Sequence, residues 1–594
     1  MNGAPAIVVL DRGGLSTAAR LRALWPTSEI HAPAAKGLTV DRTFASLGDH
    51  LAGLFADGRP IVALAAAGIV IRLLAPRLRN KPAEPPVLAV AEDGSAVVPL
   101  LGGHRGANRL AREAADALGC NAAITTASEI RFGVAVDDPP EGWRVANPKA
   151  AKAVQSALLA GETVGIEGSA PWLEAAVPGL VPGPGRPGIL VTTAAPASDE
   201  ERLVLHPQLL ALGVGCERGV PADTLVAHVE AILRTNGLAR PAIACVVSID
   251  LKSDEPAVHA LAAHLGVPAR FFPAARLEAE TPRLSHPSES VFREVGCHGV
   301  AEGAALAAAG PDGRLIVPKV KGERLTAALA EAPAPIDPRS VGSARGHLAV
   351  VGVGPGAADL RTREAARAVA LADDVVGYRG YLDLVTDLLA GKEVHAFALG
   401  DEVARCRAAL ELAAAGRRVA LVSSGDPGVY AMAPLVLELM EAADDPAWRR
   451  SELTVLPGVS AMQAAAARVG APLGHDFCAV SLSDLMTPWS VIEGRLEAAA
   501  AGDFVVALYN PASARRREGL ARALTILRTA RAPATPVVVA RNLGRAGETV
   551  RNVTLGELDP DGIDMLTVLI VGGSATRIDP ASGRVLTPRG YPMP

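Results

Sequence analysis

Four apolar residues, Leu348–Val351, run straight into Gly352, Gly354, Pro355 and Gly356, and an Ala-, Arg- and Leu-rich segment of helical character follows. A buried strand that ends in closely spaced glycines and then opens a helix leaves bare backbone where a ligand can approach. This stretch points to an α/β layer with a ligand site at a strand end. Everything after it reads as the rest of one enzyme domain. Everything before it reads as a different protein joined upstream.

At 594 residues the chain exceeds a single core, and roughly 150 residues per domain implies three to four domains. Aromatics are only 3% of a chain that is 49% hydrophobic, which favours layers packed through small residues over aromatic platforms for nucleic acid. With 58 basic and 63 acidic residues, a formal charge of −5 and no long basic run, nucleic acid is excluded as a partner. The opening MNGAPAIVVLDRGG lacks a signal-peptide pattern. No uncharged apolar run reaches about 18 residues, so no membrane span is expected. Cys120, Cys216, Cys245, Cys297, Cys406 and Cys478 form no CxxC pair, and they read as reduced thiols of a cytoplasmic protein with no metal site.

In chain order, residues 1–140 alternate short apolar runs with helical patterns. VLAV and AVVPLL are two strands joined at Asp93-Gly94, a hairpin signal. The second strand ends at Gly102-Gly103-His104 before a helix over Asn108–Leu118, a turn suited either to holding an anionic or carbonyl group or merely to capping. Thr125, Thr126 and Glu129 either line a pocket or cap a helix. Residues 141–207, with VPGLVPGPGRPG, read as a turn-rich connection. Residues 208–330 read as a small α/β domain ending in the strand LIVPKVK, its Gly213/Gly215 and Ser248–Glu255 loops at strand ends. A proline- and serine-bearing linker spans 331–346, and 347–594 form the last domain.

Five strand ends in that last domain carry short polar or glycine-rich turns: GVGPG, SSGDPG, PGVSA, LYNP and ARNLG. Together they suit a ligand with a ribose, an amino-acid head and an adenine edge better than one with a pyrophosphate. Asp426 is the one acid among them and would serve a positively charged or hydroxyl-bearing ligand. The rival reading, an NAD-dependent dehydrogenase, is opposed by Pro355 inside the glycine motif. It is also opposed by Asp373 and Asp374, which precede the next apolar run where the dinucleotide pattern wants an acid after it.

GVGPG, SSGDPGVY, LPGVSAMQAAAARVGAPLGHDF, LYNPAS and TPVVVARNLGRAGE, in that order, closely resemble the tetrapyrrole (corrin/porphyrin) methyltransferase family over about 346–580. VGYRGYLDL and LYNPASARR look most like its precorrin-3B carbon-17 methyltransferases of cobalamin biosynthesis. The resemblance implies two α/β lobes, S-adenosylmethionine between them and a homodimer through this domain. The implied cofactor positions are Gly352, Gly354, Pro355, Ser424, Gly425, Asp426, Val429, Ser460, Ala461, Tyr509, Asn542 and Leu543. It also implies methyl transfer to a ring carbon of a tetrapyrrole with ring contraction, on a metal-free substrate or on the cobalt-containing cobalt-factor III. Contraction needs a proton donor or acceptor, for which Arg379, Tyr381 and Asp484 are open choices. Arg515–Arg517, Arg541 and Arg545 are candidate clamps for substrate carboxylates.

AAAGIVIRLLAP, KPAEPPVLAVAEDG, PLLGGHRGANRLA and AITTAS resemble the N-terminal domain of the cobalt-precorrin-5A lactone hydrolase of the same pathway. GVGCERGVPADTL, SIDLKSDEP, RFFPAARL and PSESVFREVGCHGVAEGAAL resemble its C-terminal domain. The resemblance implies a hydrolase-like half in which His104 activates water, with Lys252 or Glu255 as alternatives. A non-catalytic corrinoid-binding module is the other reading of this half. The expected fold is thus multidomain α/β, a two-lobed methylase preceded by two small α/β domains.

Overall fold

The computed structural model describes residues 4–38, 40–80, 84–195, 202–443, 445–512 and 518–592, with the His104 side chain outside the description. The chain divides into two compact units, Met1–Arg345 and Gly346–Pro594.

The upstream unit holds three sheets. In the first, of seven strands, Ala6–Val9, Ile61–Leu64 and Val87–Val90 lie side by side in parallel, and every residue of all three is buried. Continuous apolar runs of this kind belong to parallel strands covered on both faces. The strand order places Ile30–Pro33 on one side of Ala6–Val9 and Ile61–Leu64 on the other, so the chain reverses its winding there. The expected hairpin is present: Val87–Val90 pairs antiparallel with Ala96–Leu101, and Asp93 Oδ1 accepts from the Ser95 N–H at 3.0 Å.

Residues 141–207 are not a mere connection. Trp143–Val145, Val164–Glu167, Leu180–Pro182, Gly188–Val191 and Arg202–Pro207 form a five-stranded sheet over a core that includes Val154, Leu158, Ile189, Leu203 and Leu205. The glycines that suggested a loop allow backbones to meet: a Cβ on Gly165 would lie 2.6 Å from the Gly183 carbonyl oxygen.

The third sheet also differs from expectation. Arg314–Gly322 is not its last strand, because Leu325–Glu331 inserts antiparallel between it and Leu210–Cys216. LTAALAE has the residue types of a helix, yet Ala327–Ala330 are fully buried, and tertiary burial overrides propensity. Gly213 proves to be a packing glycine. Its Cβ would fall 1.9 Å from the Ala301 carbonyl oxygen on the helix Val300–Ala309. The stretch read as a linker is pinned to the edge strand Ala269–Phe272: Phe271 and Ser343 exchange two backbone hydrogen bonds of 2.8 Å, and Ile336 and Val341 are buried.

The downstream unit is two-lobed α/β, as expected. Its first sheet is wholly parallel, in the order Glu393–Phe397, Asp374–Tyr378, Arg418–Ser423, His347–Gly352, Glu452–Leu456. Its second runs Phe477–Ser481, Val505–Tyr509, Thr567–Val571, Pro536–Arg541, Thr549–Thr554. Thr567–Val571 is antiparallel to both neighbours, so Val505–Tyr509 and Pro536–Arg541 point the same way and end at the same edge. The helix Ala461–Val469 starts from the first lobe and packs Ala464, Ala465 and Val469 against Val505, Val538 and Ile570 of the second.

Candidate functional site

The topology gathers the five strand-end turns. GVGPG, SSGDPG and PGVSA leave three adjacent parallel strands, and LYNP and ARNLG leave the common edge of the second sheet. Backbone bonds lock the first two together: the Gly354 N–H donates to Gly425 O at 3.2 Å and the Gly425 N–H to Gly354 O at 2.8 Å. Asp426 joins the second to the third, its Oδ1 accepting from the Gly428 N–H at 2.8 Å and its Oδ2 from the Gly458 N–H at 3.1 Å. Two acceptor oxygens of one carboxylate thus hold two loops in register, with lone pairs to spare for a ligand.

The lobes meet here. Arg545 Nε donates to Pro355 O at 2.8 Å and its Nη2 to Ser424 Oγ at 2.9 Å. Tyr509 Oη accepts from the Met462 N–H at 3.0 Å, and burial pushes its phenol above the usual range. Tyr430 Oη donates to the Ala479 carbonyl at 2.8 Å, its ring centre 5.4 Å from that of Tyr509. Tyr430, Asn510 and Asn542 all have φ near +54°, a region non-glycine residues adopt only when surroundings impose it.

The sequence-predicted positions divide by role. At Gly425 an added Cβ would meet nothing closer than 3.9 Å, and its nearest neighbours are Ser460 and Ala461. That is an open backbone face. At Gly352 it would meet the Gly425 carbonyl oxygen at 2.6 Å, so this glycine serves loop-on-loop packing. Ser460 is buried, and its hydroxyl caps the helix Ala461–Val469 in a reciprocal box with Gln463. The Leu543 side chain belongs to the second lobe's core. Val429 and Asn542 stay half-buried around the turns.

Of the candidate clamps, Arg541 is paired with Asp564 at 2.9 Å, Arg545 is the inter-lobe strut, and Arg515–Arg517 lie outside the described residues. Arg379 and Asp484 are exposed, and Tyr381 is half-buried. Arg405, which helical periodicity on a charged segment hides, is buried.

In the upstream unit, His104 belongs to the turn Gly103–Arg105. That turn follows Leu101, which pairs with Val87 at the start of its strand, whereas α/β sheets bind ligands beyond their carboxyl ends. At that carboxyl end, where the winding reverses, lies a cavity of about 220 Å³ whose lining includes Asp11, Gly14, Leu64 and Glu92. Asp11 and Glu92 both line it, and the interaction of the two carboxyls holds Asp11 below, and Glu92 above, the usual carboxylate range. An acid directly after the apolar run AIVVL and one residue before Gly13-Gly14 is the signal the sequence carries for it. Glu129 is locked: Asn108 Nδ2 donates to it at 3.0 Å and Arg112 pairs with it. Glu255 is buried against the Gly219 N–H at 3.2 Å, with Lys252 Nζ 3.8 Å away.

Two α/β lobes, the first sheet wholly parallel and the second mixed, with short turns converging from both sides define a cleft enzyme for a small molecule. Residues 347–559 match the model of Tetrapyrrole (Corrin/Porphyrin) Methylases. Over 246 residues the chain is 45% identical to the probable cobalt-factor III C(17)-methyltransferase of Salmonella typhimurium, covering 41% of this chain and 100% of that protein. The chain belongs to the tetrapyrrole methylase family. The precorrin-3B C(17)-methyltransferase of Sinorhizobium sp is 47% identical over 250 residues, 41% of this chain and 97% of that one. Upstream, residues 49–129 match the Cobalamin synthesis G N-terminal model and 210–330 the Cobalamin synthesis G C-terminus model. The crystal structure of CobE, a protein from the cobalamin pathway, is 40% identical, covering 21% of this chain and 89% of that one, with a TM-score of 0.20.

Proposed function

We propose that the downstream unit transfers a methyl group from S-adenosylmethionine to carbon 17 of precorrin-3B, with contraction of the ring. The observation that carries this reading is the convergence of five turns on one cleft in a unit that aligns end to end with C(17)-methyltransferases. The residues fit the methyl donor: Gly425 presents an open backbone face beside Ser460 and Ala461, and Asp426 keeps acceptor capacity for an ammonium or a hydroxyl. Pro355, Ser424, Val429, Tyr509 and Asn542 would complete its cradle. When bound, S-adenosylmethionine supplies an already activated sulfonium methyl. The protein's task is then to align an electron-rich carbon with it and to exclude water, as the inter-lobe struts Arg545 and Tyr430 are placed to do.

For the upstream unit we read a lactone-hydrolase-like role. A cavity of about 220 Å³ is smaller than the roughly 300–1,000 Å³ of sites that enclose whole ligands, so it suits one edge of a macrocycle. The Asp11–Glu92 pair is arranged for proton exchange there, in preference to His104. We propose a cytoplasmic setting; among the described residues no helix is long and apolar enough to cross a membrane. A homodimer through the downstream unit is tested by sedimentation.

The decisive experiment incubates the chain with S-adenosylmethionine and, in parallel, precorrin-3B or cobalt-factor III, and weighs the products. A one-methyl gain on the metal-free substrate supports the proposal, a gain on the cobalt substrate alone reassigns the substrate, and no gain on either ends it.

A further inference from the structure

Arg405 is the largest fully buried side chain among the described residues, 2% exposed, in the first turn of the helix Glu402–Ala414. That helix follows the strand Glu393–Phe397, and the first sheet of this unit is wholly parallel. It therefore begins at the edge from which SSGDPG leaves. Contacts join the two. Arg405 Nη2 donates to the Met432 thioether at 3.2 Å, and Met432 opens the helix Met432–Ala442 shortly after that turn. The next residue, Ala433, donates its N–H to Pro427 O of the turn at 2.9 Å.

An anion is what this guanidinium lacks. Its Nε and Nη1 have no hydrogen-bond partner, and a thioether is a weak acceptor. Glu402 Oε1 stands 3.8 Å from Nη2, beyond hydrogen-bond reach, and accepts instead from the Gly400 N–H at 3.3 Å. A cation held out of water without a paired, hydrogen-bonded anion is costly. Glu402 marks the way in: its side chain is 37% exposed, so solvent comes within one side chain of Nη2. Leu399 and Val403, on either side of it in the chain, are exposed apolar residues, and the ring of Tyr430 is exposed as well. Tyr430 follows the SSGDPG turn and bonds across to the Ala479 carbonyl of the second lobe at 2.8 Å, so this rim is continuous with the cleft.

We propose that Arg405 receives a peripheral carboxylate of the tetrapyrrole substrate, admitted from the side of Glu402, while the ring lies on Leu399, Val403 and Tyr430. The inference rests on the methyltransferase reading above and adds to it the residue that registers the substrate. A guanidinium offers two parallel N–H donors to one carboxylate. Met432, unbranched and polarizable, turns aside without disturbing the backbone, and the carboxylate takes the place of that weak acceptor. Since Met432 heads the helix that leaves SSGDPG, an anion seated there fixes the ring against the methyl donor's turn. A macrocycle whose carboxylates are spaced differently loses the bond, so Arg405 is a specificity-determining residue.

The test uses the full chain and two probes, uroporphyrin with free carboxylates and its methyl ester with the same ring uncharged. In fluorescence titrations the unaltered chain is expected to prefer the free acid by about tenfold or more, as bonds to charged groups provide. Arg405→Met is expected to abolish that preference and to leave ester affinity, and S-adenosylhomocysteine affinity by calorimetry, unchanged. Because methionine replaces an uncompensated buried cation, the variant is expected to melt no earlier than the unaltered chain. Glu402→Gln removes the competing anion and is expected to tighten the free acid alone; an unmoved affinity closes that entry route and overturns the proposal. No preference in the unaltered chain overturns it, as does an Arg405→Met protein that keeps the preference. Equal losses for acid and ester mark a structural role and overturn it too. With precorrin-3B, Arg405→Met is expected to raise KM about tenfold at unchanged kcat. If the unaltered chain methylates nothing, the methyltransferase reading falls, and the porphyrin titrations still decide the role of Arg405.

Discussion

Asp426 shows how one side chain serves both packing and binding. Because its oxygens hold the Gly428 and Gly458 N–H groups, and bonds to charged groups contribute about 1.5–3 kcal/mol, Asp426→Ala should weaken S-adenosylhomocysteine binding at least about tenfold by calorimetry. Gly352→Ala acts differently: its Cβ, 2.6 Å from Gly425 O, forces two loops apart, so cofactor affinity and the melting temperature should fall together. Upstream, His31 is fully buried, bonded at 2.6 Å to His50 and pushed down to about 4, first by burial and then by the His50 charge. The unfolded state therefore takes up this proton first, and stability should decline as pH falls from 6.5 towards 4. His31→Gln should flatten that slope in thermal melts at stepped pH, and an unchanged slope would move the cause elsewhere. Glycine, proline and short polar residues at strand ends punctuate locally, so the five turns were legible. Which of them face a ligand was not, because Gly352, Ser460 and Leu543 acquire their packing roles from partners remote in the chain. Arg405 was illegible for the same reason: in a helix with Arg407 and Glu411 it reads as a solvated face.

The elements most visible in the sequence were those whose local pattern and tertiary fate agree. The apolar runs Ala6–Val9, Val87–Val90 and Leu348–Val351, and the Asp93-Gly94 hairpin, are of this kind. Leu325–Glu331 is the contrary case: three alanines and two leucines of helical propensity form a strand between two others. Leu329→Ala should therefore cost about 2–5 kcal/mol, as a buried large-to-small change does. A lowered denaturant midpoint measures it, and a shift near zero would contradict the central placement. Residues 141–207 were missed for a related reason, since strands of three to six residues separated by Pro and Gly carry too little periodicity to stand out from a loop.

At the scale of the molecule, the division at Arg345 and Gly346 predicts independence. Segments 1–345 and 346–594, produced separately, should each show a cooperative melt, and S-adenosylhomocysteine should raise only the second, by about 2.7 kcal/mol of apparent stability at a hundredfold excess over Kd. A shift in both, or a downstream segment that fails to fold, would refute the separation. The central position of Thr567–Val571 has a bearing on biosynthesis. It is the last of its five strands to leave the ribosome, yet it stands between Val505–Tyr509 and Pro536–Arg541 and pairs with both. Until it emerges, two apolar strands that flank the cleft wait with open edges, a template for wrong pairing. The second lobe must therefore close late in synthesis, and the nascent chain is most in need of chaperone cover between the appearance of Val505 and that of Val571.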